Sequence, residues 1–381
     1  MMKGWRVTQV RPSRPVCTAL ASALFFLRQP MSPKPSNPAS SSQASSRGFD
    51  RELGELEALS EGLKSGAAPT STETDHLRKL LTHRNNFLVS KAAKLVESHS
   101  LTELVPDLLA AYHRFFHDPA KTDPKCWAKE ALAKALVHLE HRSKDTYLRG
   151  LRHHQMEPSF GPPVDSAAAL RGTCAHALVD CPGISDADLL TLLLEPLTDD
   201  DKAVRMDAAR AIANVGGISA ALLLRYRAML TPLFRGLEDP EVLGAVYSAL
   251  LSLEGPAAIP LVVAFLEDAD DLAAEAAFAL ADLRSEESLA PLIARHRAGV
   301  SDPWFAGVLL SAIALTRLPQ AADYLIALIE SDAREAPQAI EAIGRSAPTS
   351  EQRARVQQAV EQADSHRLRK AFLQHLPPPS E

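Results

Sequence analysis

The stretch DDDKAVRMDAARAIANVGG, residues Asp199–Gly217, carries the pattern that decides the fold. Counted from Val204 as position 0, apolar residues stand at +4, +7, +8 and +11, namely Ala208, Ala211, Ile212 and Val215. This spacing puts all of them on one face of a helix. Acidic residues precede the run and a glycine pair follows it, and both are typical of helix boundaries. The stretch therefore predicts an amphipathic helix whose buried face is small in the middle and larger at its end.

Seven further segments follow the same template. With Val204 included, their positions 0 are separated by steps of 40, 42, 34, 38, 30, 33 and 30 residues, and the seven are Leu88, Ala128, Leu170, Val242, Leu272, Phe305 and Glu335. Second helical segments lie between them, such as ISDADLLTLLLEPL at residues 184–197. A helix pair that recurs at this period is typical of an α-solenoid. The sequence therefore predicts an all-α fold, an armadillo-like superhelix of about eight helix pairs.

The run D-x-x-V-R-x-x-A-A-x-A-I at Asp201–Ile212, together with this period, resembles HEAT repeats, in particular the HEAT-like repeats of the phycobilin-lyase type. The resemblance extends from Thr74 to Leu376 and implies an architecture without implying an activity. Arg171 and Arg205 hold the family's basic position, directly after position 0. We expect a polar ladder between repeats to fade towards the C-terminus, because apolar residues replace the basic one there: Leu243, Ala273, Ala306 and Ala336.

The first 50 residues differ from the repeats. Basic residues precede an apolar run, Val16–Leu27, as in a signal peptide, but no A-x-A-like cleavage site follows. The run is also too short to span a membrane, so we predict no membrane span there. A Pro/Ser-rich stretch begins at Met31, which is an alternative translation start. We therefore predict a disordered segment over residues 1–50 and a HEAT-repeat α-solenoid over residues 51–381 that ends in polar capping helices.

Cysteine usage favours a reducing compartment. The chain of 381 residues has four cysteines without the spacing of a disulfide framework: Cys17, Cys126, Cys174 and Cys181. Cys174 and Cys181 stand at positions +4 and +11, so we interpret them as small core residues. We predict a cytoplasmic protein, with export as the alternative if residues 1–30 are a genuine signal.

The charge is unevenly distributed along the chain. The net charge of −6 argues against non-specific nucleic-acid binding by the whole protein. Residues 78–171 nevertheless carry fifteen Lys and Arg against ten Asp and Glu, whereas residues 211–381 carry fourteen against twenty-two. Ten of the thirteen histidines lie between His76 and His176. The two halves of the repeat region are therefore expected to present different surfaces.

Position +6 of the template predicts where that charge is displayed. At about 100° per residue this position points away from the buried face. It is basic in the first four repeats and not in the last four: Lys94, Lys134, His176 and Arg210, then Ser248, Phe278, Ser311 and Glu341. Position +5 is alanine in the first four repeats, which we expect to leave room beside the basic side chains. The row predicts a basic concave groove. The alternative is that these residues have no common role, because Lys and Arg are frequent on exposed helix faces.

The stretch LRGLRHHQMEP, residues 148–158, is a second candidate surface. A helix over residues 143–156 would place Arg149, His153 and Glu157 on one face. Three interpretations stay open: a solvated helix face, a patch that recognises anions through Arg149, Arg152 and His153, and a metal site at His153 and Glu157, for which no third ligand is identifiable.

Several common catalytic motifs are absent from the sequence. The sequence has no Gly-rich phosphate loop and no C-x-x-C, H-E-x-x-H or G-x-S-x-G motif. It also lacks the His-Glu dipeptides with which deoxyhypusine hydroxylase, another HEAT-like protein, binds iron. We therefore predict a non-enzymatic scaffold without a cofactor that binds a protein or an acidic peptide. The alternatives are a nucleic-acid-binding or DNA-glycosylase-like repeat protein and a small-molecule or metal-dependent enzyme. We expect few aromatic residues to face the groove, which counts against base stacking.

Overall fold

The computed structural model describes residues 39–63, 69–230 and 238–377 of the chain. It divides the chain into two units, residues 1–51 and residues 52–381. Helix accounts for 76% and strand for 1% of the structure, so the prediction of an all-α fold is confirmed.

Besides four short 3-10 helices, the described residues contain twenty α-helices, and the longer ones alternate with short turns. In chain order they are α1 (Ala39–Leu63), α2 (Ser71–Leu81), α3 (Asn86–Ser98), α4 (Val105–Arg114), α5 (Pro119–Thr122), α6 (Trp127–His138), α7 (Lys144–Leu151), α8 (Ala168–Val179), α9 (Asp186–Leu197), α10 (Lys202–Val215), α11 (Gly217–Met229), α12 (Pro240–Glu254), α13 (Ile259–Val263), α14 (Asp271–Asp282), α15 (Glu286–Arg297), α16 (Pro303–Leu315), α17 (Pro319–Glu330), α18 (Ala336–Arg345), α19 (Ser350–Ala363) and α20 (His366–His375). Two short strands, β1 (Met156–Glu157) and β2 (Val164–Asp165), pair antiparallel.

The N-terminal boundary differs from the one expected. The prediction of disorder for residues 1–38 concerns a part of the chain that lies outside the described residues. Residues 39–50, by contrast, form the first part of α1. No proline interrupts the chain between Pro38 and Pro69, so this stretch lacks the residue least compatible with a helix interior.

The repeated template sets the packing of eight helices, which we call the template helices: α3, α6, α8, α10, α12, α14, α16 and α18. The side chains at positions +4 and +8 of all eight are 0–4% exposed. Each template helix packs against the next one along the chain. The acidic turns between repeats explain where several of them begin, because Asp201 and Asp270 cap the first backbone N–H groups of α10 and α14. The predicted burial of positions +4 and +8 is therefore confirmed, whereas Val215 at position +11 is only partly buried.

The expectation for position +5 is wrong. Ala93, Ala133, Ala175 and Ala209 are 0% exposed, so they leave no open space beside the basic side chains. The cause is the side-by-side packing of the template helices, which buries a second strip along each of them.

Two arginines at the position directly after position 0, Arg171 and the partly buried Arg205, pair with carboxylates that precede the next template helix. Arg171 is 2% exposed, and it donates to Asp165 Oδ2 at 2.6 Å and to Asp199 Oδ2 at 2.7 Å. One repeat later, Arg205 lies 3.0 Å from Asp239. Burial raises the pKa of Asp165, but backbone N–H donors and Arg171 outweigh this and lower it to about 2. In the repeats after Arg205, the residue directly after position 0 is apolar. The ladder therefore ends towards the C-terminus, as predicted.

The C-terminal helices and one apolar run concern two of the predictions, the capping helices and the lack of a membrane span. The stretch assigned to capping helices forms α19 and α20, and α20 packs against α18. Among the described residues one run, Pro240–Leu266, is long and apolar enough to cross a membrane by length and composition. It contains α12 and α13 and supplies buried residues such as Val246 and Leu250 to the core. A buried core helix passes the same test, so the run alone does not indicate a membrane span.

Candidate functional site

Two of the predicted basic residues, Lys94 and Lys134, line one pocket of about 200 Å³ between α3 and α6. Phe87 and Trp127, both at template position −1, form part of its wall, and their ring centroids lie 5.8 Å apart. Trp127 is 42% exposed. We call this site the basic–aromatic pocket, defined by Phe87, Lys91, Lys94, Trp127 and Lys134.

The lysines of the basic–aromatic pocket differ in how far they are neutralised. Lys134 Nζ donates to Glu130 Oε1 at 2.7 Å. Lys91 Nζ lies 5.4 Å from the Phe87 ring centroid. Lys94 is exposed and forms no ion pair within the described part of the chain. Three ammonium groups against one carboxylate leave an excess of positive charge beside exposed aromatic surface, which suits an anionic ligand with an apolar part.

The other two residues of the predicted row, His176 and Arg210, converge on a carboxylate. His176 Nε2 lies 3.5 Å and Arg210 Nη1 3.0 Å from Asp207 Oδ1. The Asp207 carboxylate lies against Gly172, where a Cβ would overlap it. Burial raises the pKa of Asp207, but the hydrogen bonds and charges of His176 and Arg210 lower it below its usual value. Their charge is therefore compensated within the chain, and the row separates into two pairs.

Residues 148–158 do not form one helix. The helix predicted to reach residue 156 ends at Leu151, and residues 156–165 form a hairpin instead. Gln155 supplies the physical reason, because it is 3% exposed, donates to Asp123 O at 2.8 Å and accepts from Lys129 Nζ at 2.9 Å. Lys129 is itself fully buried and pairs with Asp123 Oδ2 at 2.9 Å. These partners lie 32 and 26 residues before Gln155, and they outweigh the local helical pattern.

The arrangement expected for a metal at His153 and Glu157 is absent. Because α7 ends early, the two residues do not share a helix face, and Gln155 hydrogen-bonds both of them. Glu157 Oε1 also accepts from the backbone N–H of Lys125 at 2.7 Å and from Ser166 Oγ at 2.9 Å. Within residues 39–63, 69–230 and 238–377, no group of three or more His, Cys, Asp or Glu could hold a metal ion.

The three residues of the predicted anion patch make contacts of their own. The Arg149 guanidinium lies 4.3 Å from the Phe116 ring centroid, and the His153 ring contacts the same ring edge-on at 4.9 Å. Arg152 Nε lies 3.8 Å from Glu195 Oε2. Burial is the main cause that lowers the pKa of His153. Among the described residues, none of their hydrogen bonds or ion pairs reaches the +6 row, so the candidate residues form separate groups.

A larger cavity, about 730 Å³, lies on the corresponding face of α12, α14, α16 and α18. It is lined by the +6 residues Phe278, Ser311 and Glu341, together with Trp304 and Glu275. The sequence predicted the +6 row but not the walls of either site, and the expectation that few aromatic residues face the groove is wrong at Phe87 and Trp127. The signal that would have found them is the recurrence of an aromatic residue at position −1 of three template helices: Phe87, Trp127 and Trp304.

The three described cysteines, Cys126, Cys174 and Cys181, are free and buried. Burial is the main cause that raises the pKa of Cys126 and of Cys174 to about 12. Thiols of this kind are protonated at neutral pH and poorly nucleophilic. The burial of Cys174 and Cys181 agrees with their interpretation as core residues. Cys17 lies outside the described residues.

No family model and no curated protein matches this chain. Among solved structures, the crystal structure of an engineered protein is similar over 84% of this chain and 95% of its own, with 18% sequence identity and a TM-score of 0.31. A TM-score at this level does not establish a shared fold, and no functional inference follows from that likeness.

Proposed function

We propose that this chain is a non-enzymatic interaction scaffold, a HEAT-like α-solenoid of eight helix pairs followed by a capping pair, which binds an acidic segment of a protein partner. The observation that carries the proposal is the basic–aromatic pocket, in which two consecutive template helices present lysines around an exposed tryptophan. A cytoplasmic setting and the absence of a cofactor belong to the same proposal.

The order of helix contacts supports the solenoid part. Seven of the eight template helices contact the helix directly before them; for example, α9 contacts α10, α11 contacts α12, and α15 contacts α16. The eighth, α6, contacts α4 instead. In arrays built in this way, the free face of one repeat continues into the next and makes an extended binding surface. Positions −1, +3 and +6 of consecutive repeats are the ones expected to supply that surface.

An acidic peptide with an apolar side chain matches both properties of the pocket. Its carboxylates would accept charge-assisted hydrogen bonds from Lys91 and Lys94, each worth about 1.5–3 kcal/mol when buried and far less when exposed to water. A leucine or phenylalanine of the ligand would cover Trp127 and remove apolar surface from water. Affinity is therefore expected to depend on the negative charge and on the apolar side chain together.

Trp127 also favours a second candidate function, the binding of single-stranded nucleic acid. An exposed aromatic ring beside lysines is a platform on which a base can stack while the phosphates meet the ammonium groups. The net charge of −6 and the acidic later repeats oppose a long strand. The salt dependence of binding distinguishes the two functions. Phosphate binding weakens steeply as the salt concentration rises, because the release of counterions then contributes less free energy.

The test is a fluorescence-anisotropy titration with a labelled Glu-rich dodecapeptide that contains one phenylalanine. We expect the wild-type protein to bind it at least about tenfold more tightly than the same peptide with Gln at every Glu position. Lys94→Glu combined with Lys134→Glu should remove that preference. The matched control is Lys121→Glu combined with Lys144→Glu, which changes the net charge equally at exposed positions outside the pocket.

Equal binding of the Glu and Gln peptides, or equal weakening by the pocket and control variants, would refute the proposal. A labelled single-stranded oligonucleotide is titrated under the same conditions. Tighter binding of the oligonucleotide than of the peptide, with a steep loss as salt rises, would establish the second function instead.

A further inference from the structure

The same contact between a glycine and a carboxylate occurs twice in the array. Asp207 at position +3 of α10 lies against Gly172 at +2 of α8, and Glu275 at +3 of α14 lies against Gly244 at +2 of α12. At both glycines a Cβ would overlap a carboxylate oxygen, so a larger residue there would displace the carboxylate. The two carboxylates therefore occupy equivalent places, two repeats apart.

The equivalent places differ in the cations that surround them. Beside the first carboxylate, position +6 of the two template helices holds His176 and Arg210, which lie 3.5 and 3.0 Å from it. Beside Glu275 the same two positions hold Ser248 and Phe278. No cation among the described residues forms an ion pair with Glu275. The second place is thus built like the first, but the described residues supply no cation to it.

The electrostatics of Glu275 agree with an uncompensated charge. Burial raises its pKa, and the neighbouring carboxylates Glu241 and Asp271 raise it further. Glu241 is paired with Lys202 at 2.8 Å, whereas Asp271 has no ion pair within the part of the chain that is described. At the equivalent carboxylate, Asp207, the pKa is lowered. A cation beside Glu275 would compensate its charge, as His176 and Arg210 compensate that of Asp207.

The 730 Å³ cavity around Glu275 has the room and the acceptors for such a cation. Trp304, 48% exposed, presents an aromatic surface on one wall. Gln338 Oε1, on another, is buried and accepts no hydrogen bond from the described residues. Arg345 also lines the cavity, but it is paired with Glu341 at 2.7 Å. A carboxylate, an amide oxygen and an indole face together suit a planar cation with several N–H donors.

We propose that this cavity is a second binding site, in which the guanidinium group of an arginine in a basic peptide lies beside Glu275 and against Trp304. We call it the acidic–aromatic cavity, defined by Asp271, Glu275, Phe278, Trp304 and Gln338. The site shares no residue with the basic–aromatic pocket and does not depend on the function proposed for it. With both sites, the exposed face of the template helices would bind opposite charges in its two halves.

The probe is a labelled, terminally capped hexapeptide of alternating glycine and arginine, compared with the peptide that has the neutral isostere citrulline in place of arginine. We expect the wild-type protein to bind the arginine peptide about tenfold more tightly. Glu275→Gln, which keeps the shape of the side chain, should remove most of that difference. Phe278→Arg should also block the peptide, because it supplies an internal cation at the position that Arg210 occupies beside Asp207.

Lys94→Glu combined with Lys134→Glu is the control, and it should leave the arginine-peptide affinity within about twofold of the wild type. Circular dichroism establishes that each variant retains the wild-type helical signal. Equal affinities for the arginine and citrulline peptides, or an unchanged arginine-peptide affinity in either Glu275→Gln or Phe278→Arg, would overturn the proposal. Failure here leaves the acidic-peptide titration unaffected, so the two proposals fail independently.

Discussion

Replacing Arg171 with Met should destabilise the protein more than replacing any exposed charged residue. The guanidinium is 2% exposed and donates to Asp199 at 2.7 and 2.9 Å, to Asp165 at 2.6 Å and to His153 O at 3.1 Å. Methionine fills similar space but donates nothing. Asp165 keeps two backbone N–H donors, from Gln155 and Ala167. Asp199, whose side chain is 5% exposed, keeps only the backbone N–H of Asp201, so the loss falls mainly on Asp199. Breaking a buried pair in this way costs about 3–5 kcal/mol.

The assay is urea unfolding at neutral pH, followed by far-ultraviolet circular dichroism. Arg142→Met is the matched control, because Arg142 is 56% exposed and lies 3.9 Å from Glu140, so its loss should cost less than about 1 kcal/mol. Adding Asp199→Asn to Arg171→Met should recover part of the stability, because it removes the unpaired buried charge. A loss below about 1 kcal/mol for Arg171→Met, or an equal loss for the control, would show that the ladder does not hold the repeats together.

Three further outcomes are expected. Ala211→Asp places an unpaired carboxylate at a position that is 0% exposed and should cost several kcal/mol in urea unfolding, whereas Arg210→Ala should cost less than about 1 kcal/mol; equal effects would contradict the helical register. Burial lowers the pKa of His153 in the folded state relative to about 6.5 in the unfolded chain, so its contribution to stability is present above that value and lost as pH falls through the folded pKa. The melting temperature should therefore fall on acidification below about pH 6.5, and it should fall less in His153→Gln. An identical fall in the variant would show that other titrating groups cause the effect. Arg149→Ala combined with Arg152→Ala should leave the Glu-peptide affinity within about twofold, because neither residue contacts the basic–aromatic pocket; a tenfold loss would place them on the binding surface.

The core could be predicted from the sequence because its signal is local. Ala208, Ala211 and Ile212 lie within a single helix, so the 3.6-residue period that places them on one face is written in consecutive residues. The same counting placed Lys94 and Lys134 on an exposed face, where the structure has them.

The rest required contacts between residues distant in the chain. Residues 156–165 form a hairpin because Gln155 binds Asp123 and Lys129, and no local pattern around Gln155 announces those partners. The burial of the +5 alanines depends on how closely neighbouring template helices pack, which a single helix does not reveal. Neutralisation of His176 and Arg210 likewise depends on Asp207, which contacts them from position +3.

The position of Trp127 shows what an alignment of the repeats could still have added. It precedes position 0, and so does Phe87 in the repeat before it. In a single repeat, such a residue indicates only that an aromatic side chain stands at the start of a helix. Read across two repeats that pack together, the pair predicts a wall of a pocket, because equivalent positions of adjacent template helices are neighbours.

A charge swap between the basic–aromatic pocket and its ligand tests the central claim most directly. The dissociation constants of the Glu-rich dodecapeptide and of its Lys-rich counterpart are measured for the wild-type protein and for Lys94→Glu combined with Lys134→Glu. The account predicts that the wild type prefers the Glu peptide, that the variant loses this preference, and that the variant gains affinity for the Lys peptide. Unchanged preference in the variant would contradict the claim that the exposed face of α3 and α6 recognises an acidic partner.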